Sequence, residues 1–180
     1  MKKLTQEEIE KIRNSYYVSK YQKLSENFNL KKLTEKQIKN IKNFPDKVNW
    51  KRLCYSKILS EDFIREFKDK VYWMKISQYQ NLSENFIKKF QDKIDWVYIS
   101  FNQILSENFI REYQDKVDWR CISVFQNLSP EFCFEFCEKI YWEELKINKQ
   151  FHNKQFNKNF FKFAPRYVKL YITLNYRKLL

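Results

Sequence analysis

No glycine occurs in the 180 residues. Phosphate-cradling loops, dinucleotide fingerprints and nucleophile elbows all need glycine where backbone closes on a ligand, so those enzyme classes are excluded. Histidine occurs once, at His152, and none of the four cysteines (Cys54, Cys121, Cys133, Cys137) forms a CxxC pair. No recognisable Cys/His zinc pattern remains. Cys133 and Cys137 stand four apart beside Phe132 and Phe136. That spacing suits a metal or redox pair, but small buried hydrophobes are the better reading. No apolar run approaches the ~20 residues that span a bilayer. The opening MKKLTQEEIE is a charged helical pattern with no signal-peptide apolar region. The expectation is an intracellular protein with no membrane span and no cofactor.

Aromatic residues are plentiful, at 19% of the chain within 43% hydrophobic, which rules out disorder despite the charge. They are also periodic. Trp50, Trp73, Trp96, Trp119 and Trp142 follow one another at steps of 23 residues. Leu59-Ser60, Leu82-Ser83, Leu105-Ser106 and Leu128-Ser129 keep the same step. So do Asp46-Lys47, Asp69-Lys70, Asp92-Lys93 and Asp115-Lys116, with Glu138-Lys139 as a variant. Three rows in phase are the signature of a stacked repeat.

Each repeat reads as two short helices. With Ser83 as N-cap, Phe86, Ile87 and Phe90 share one face, and Leu82 has the spacing to staple to Ile87. Pro130 directly after Ser129 marks a first helical position. Asn49, Asp95 and Asp118 are natural caps for the second helix, whereas Tyr72 and Tyr141 predict weaker starts. Cys54, Ser77, Ser100 and Ser123 recur as a small residue where helices approach closely; no histidine or acid recurs with them to make a catalytic serine. Adjacent Glu143 and Glu144 point apart on a helix and cannot easily act as paired acids. Helices of roughly eight to ten residues are unstable alone. They must bury their Phe/Ile and Trp/Ile faces on neighbouring repeats, which makes the predicted fold an all-α solenoid. The predicted structural core is the tryptophan row with Phe63, Phe86, Phe109 and Phe132.

The predicted organisation is a single solenoid. Residues 1–43 are irregular N-terminal helices, 44–144 the regular repeats, and 145–180 a basic C-terminal cap. Thr34 with Gln37 reads as a capping box. The step from Leu33 to Trp50 predicts a first helix one turn longer than the others. Pro165 should break the C-terminal unit before a last helix over 167–179.

Charge is uneven. Residues 1–58 hold 15 Lys/Arg against 6 Asp/Glu, residues 59–144 hold 11 against 16, and residues 145–180 hold 9 against none. A duplex lying along the whole array would be repelled at its centre. The basic ends could instead hold phosphate or an anionic protein surface, or meet the acidic middle of another copy. Candidate anion- or partner-binding residues are Lys154, Lys158, Lys162 and Arg166, at four-residue steps. A second candidate surface lies where repeats differ: Lys88 and Lys89, Arg65 and Glu66, Arg111 and Glu112.

The segments LSEDFIREFKDKVYW, LSENFIKKFQDKIDW and LSENFIREYQDKVDW resemble short repeats in proteins that large DNA viruses of amoebae encode in many copies. The resemblance covers residues 44–144 and transfers no catalytic or ligand residues. It implies action in an infected host's cytoplasm or packaging in the particle. The expected function is a non-enzymatic protein-interaction or scaffold module, with a protein partner or self-assembly. Nucleic-acid binding through the basic C-terminal unit is the alternative.

Overall fold

A helix leaves its first backbone N–H groups without partners, and a serine hydroxyl just ahead of it takes one up. In the computed structural model, which describes residues 31–145, 148 and 164–175, every repeat uses this device. Ser60, Ser83, Ser106 and Ser129 accept from the N–H of Phe63, Phe86, Phe109 and Phe132 at 3.1–3.2 Å.

In chain order the first elements are β1 (Lys31–Lys32), α1 (Glu35–Asn43), a 3-10 turn (Pro45–Lys47), α2 (Trp50–Ser56), β2 (Lys57–Ile58), α3 (Glu61–Glu66) and α4 (Trp73–Tyr79). Then come α5 (Glu84–Lys89), α6 (Trp96–Asn102), α7 (Glu107–Glu112), α8 (Trp119–Phe125), α9 (Pro130–Glu135), α10 (Trp142–Leu145) and α11 (Arg166–Asn175). The architecture is an all-α repeat solenoid of paired short helices.

Thr34 and Gln37 form the capping box, and α1 runs nine residues where α3 runs six, the extra turn that the spacing predicts. Asn49, Asp95 and Asp118 cap their helices, while Tyr72 makes no side-chain cap bond. Most repeat helices are shorter than the pattern predicts, with six residues in α5 and seven in α6. The Asp-Lys segment ends the first helix early. Phe67 leaves helical geometry, and its carbonyl accepts from Lys70 and Val71 N–H at 2.9 and 3.1 Å. A tight turn thus replaces the last helical turn.

The chain divides into two compact units, Met1–Gln80 and Asn81–Leu180. In the first, α2 packs along α4, and Phe63, Ile64, Ile76 and Cys54 are buried. There β1 pairs in parallel with β2, Lys31 opposite Lys57 and Lys32 opposite Ile58. The helical periodicity gave no sign of this pair. It arises because the segments leading into successive first helices run extended side by side. In the second unit, α6 packs on α8 and α8 on α10, around Phe86, Ile99, Phe109, Ile122, Phe132 and Trp142.

Candidate functional site

Four recurring side-chain rows account for how one repeat holds the next. Every row tryptophan donates its indole N–H to the carbonyl five residues earlier: Pro45, Lys68, Gln91, Gln114 and Cys137, at 2.8–3.1 Å. The indole therefore clamps the turn ahead of its own helix. In three of the repeats the ring then lies on two aromatics of the following repeat. Trp50 meets Phe63 and Phe67, Trp96 meets Phe109 and Tyr113, and Trp119 meets Phe132 and Phe136, with near centroids 4.9–5.1 Å apart. Four of the five predicted core tryptophans are half-buried, and Trp142 is fully buried. The phenylalanine row is buried throughout.

A glutamine row, Gln80, Gln103 and Gln126, keeps the same step and is buried. Gln80 Oε1 accepts from Leu59 N–H at 2.8 Å while Nε2 donates to the carbonyls of Cys54 and Lys57. Gln126 does the same for Leu105 N–H and the carbonyls of Ser100 and Gln103. Asn148 takes over at the end, donating to the carbonyls of Ser123 and Gln126. Each amide satisfies backbone at the end of a second helix and in the extended segment after it, in the repeat before its own. Sequence reasoning missed this row. Its signal was the 23-residue step itself, hidden because glutamine reads as a surface residue.

The serine row does more than permit close approach. Ser100 Oγ donates to Trp96 carbonyl at 2.7 Å and accepts from Asp118 N–H at 2.9 Å. Ser123 likewise joins Trp119 to Tyr141. Glu84 and Glu107 accept from the backbone N–H of Ser106 and Ser129, tying one cap to the next.

The Asp-Lys row is a charge ladder. Lys70 reaches Asp46 at 2.7 Å, Lys139 reaches Asp115 at 3.3 Å and Lys116 reaches Asp92 at 3.8 Å. The variable positions pair as well. Lys42 binds Glu66, Lys88 binds Glu112, and Arg111 binds Glu135, while Arg65 turns back to Glu61 and Asp62. Much of that candidate surface is therefore committed to contacts within the array. Lys89 stays exposed, above the Phe90 ring.

Of the basic candidates, Arg166 is exposed at the start of α11 and makes no ion pair among the described residues; Lys154, Lys158 and Lys162 lie outside them. Burial pushes the Cys54, Cys133 and Cys137 thiols up, and burial with the nearby Asp118 carboxylate does so for half-buried Cys121. Such thiols are inert as nucleophiles at neutral pH. Among the described residues, no group of three or more His, Cys, Asp or Glu is placed to hold a metal, and no helix is long and apolar enough to cross a membrane. A cleft of about 470 Å³ opens beside Val117, Trp119, Ile140 and Tyr141. Lys139 lies over Trp119 there and bonds Gln114 and Asp115, so its charge is paired within the cleft. No family model, curated protein or solved structure compared with the chain matches it.

Proposed function

We propose that the chain is a non-enzymatic repeat protein that serves as an interaction or scaffold module. In this reading it holds a protein partner or assembles with itself, in host cytoplasm or within a virus particle. One observation carries the reading. The recurring glutamine, serine and Asp-Lys side chains bond to neighbouring repeats, the indole N–H bonds to the turn of its own repeat, and these rows are not gathered in a reactive pocket. Stacked repeats offer extended surface for partners, and function then rests on positions that vary between repeats. Affinity capture from expressing or infected cells, with light scattering on the pure protein, tests it. A specific protein partner or a defined oligomer is expected. A monomer that captures nothing would sink the reading.

A second reading, nucleic-acid binding, draws support from the nine Lys/Arg and absence of Asp/Glu over residues 145–180. Single-stranded binding combines such charge with aromatics, here Phe161 and Tyr167. Oligonucleotide affinity that falls steeply with salt, and falls again in Lys154→Gln/Lys158→Gln/Lys162→Gln, is its expected result. Equal affinity of that variant would reject it.

A further inference from the structure

The last described helix, α11, carries apolar side chains on its exposed side. Val168 is fully buried, which fixes the inward side of the helix, and Tyr167 lies at the edge of that side, its ring partly exposed while its Oη donates to the Phe134 carbonyl at 3.2 Å. Exposed at spacings of three and four are Tyr167, Leu170 and Leu174, by 57%, 58% and 72%. At 100° per residue these three span about 60° of the helix circumference. Arg166, Thr173 and Lys169 border that stripe on one side. Lys169 is half-buried and the other two are exposed.

Three partners suit a basic helix, and the chemistry separates them. A second copy could meet this unit, nine basic residues and no acids, through its residues 1–58, with 15 basic and 6 acidic, or through the same unit. Like charge opposes both. The acidic repeats of another copy offer little. Residues 81–144 carry 7 Lys/Arg against 12 Asp/Glu. However, Asp92, Glu112, Asp115, Glu135 and Glu144 sit in ion pairs, and Asp95 and Asp118 cap helices. A nucleic acid answers the charge but leaves two exposed leucines unused. A bilayer surface with anionic headgroups answers both features, because acyl chains accept the two leucines while the phosphates meet the nearby bases.

We infer that the outer face of α11 is a peripheral membrane-binding face selective for anionic lipid. It stands apart from the scaffold reading, which can hold or fail without it. The test is co-sedimentation of the full chain with vesicles of phosphatidylcholine alone or with added phosphatidylserine. Binding is expected only with phosphatidylserine, weakening as salt rises. Leu170→Ser/Leu174→Ser should lower the partition coefficient at least about tenfold. Should that variant also melt lower, Leu174→Phe supplies the check. It enlarges the stripe without opening the core and should raise the partition. No sedimentation with anionic vesicles, or unchanged partition in these variants, would overturn the inference. So would vesicle binding that a single-stranded oligonucleotide abolishes while the leucine variant binds that oligonucleotide undiminished.

Discussion

Gln126 donates its side-chain amide to the backbone carbonyl of Gln103 at 2.7 Å, and the two residues occupy the same position in successive repeats. The same amide also reaches the Ser100 carbonyl, and its oxygen takes Leu105 N–H. One side chain thus answers three buried backbone groups of the repeat before it. Removing it strands all three. Gln126→Leu should destabilise the protein by about 3 kcal/mol or more, since each abandoned buried group costs about 1–3 kcal/mol. A urea melt measures this. A loss under about 1 kcal/mol would mean that water replaces the amide freely.

The tryptophans are alike in sequence and unlike in burial. Trp142→Ala removes a fully buried indole and should cost about 3–5 kcal/mol. Trp96→Ala removes a half-buried one and should cost less, about 2–3 kcal/mol. Trp96→Phe keeps a ring near Tyr113 but loses the bond to the Gln91 carbonyl and part of the indole's packing, so its cost should fall below that of Trp96→Ala, at about 1–2 kcal/mol. Thermal melts that rank the three differently would contradict the clamp.

The ion pairs should divide by burial. Arg120 binds Glu144 at 2.5 Å with the glutamate side chain only 10% exposed. Arg120→Met leaves that carboxylate half-stranded and should cost about 2 kcal/mol. Lys116→Met breaks an exposed pair with Asp92 at 3.8 Å and should change stability by less than about 0.5 kcal/mol. Raising the salt should erase most of the second effect and little of the first.

Alkaline pH should loosen the fold. Burial raises the Cys54, Cys133 and Cys137 thiols above their ordinary value of 9.0, and Cys121 is raised by burial and Asp118. The unfolded chain therefore releases thiol protons first as pH climbs. Stability is complete below pH 9 and should decline above it, through the interval before the folded-state thiols ionise. Cys133→Ala should reduce the decline although it removes buried atoms. A thiol reagent at pH 8 should modify the buried Cys54, Cys133 and Cys137 only as fast as the protein unfolds.

Much of the local structure was legible in the residues. The caps at Ser60, Ser83, Ser106 and Ser129, the Pro130 start and the long first helix all follow from rules acting over three to five residues. Helix length was legible only roughly. The Asp-Lys turn competes with the last helical turn for the same carbonyls, and propensity does not settle that contest. The Lys88 and Arg111 positions read as free surface. They pair instead with Glu112 and Glu135, residues 24 further on, because stacking brings adjacent first helices side by side.

By itself, the sequence determined that this protein is a run of short helix pairs, because the spacing of apolar residues and caps acts within each repeat. Only the tertiary structure decided what the recurring polar residues do. Glutamine, serine and lysine carry no local preference for a partner one repeat away. They acquire one when stacking removes water from the backbone they face, and an unanswered N–H or carbonyl then becomes costly.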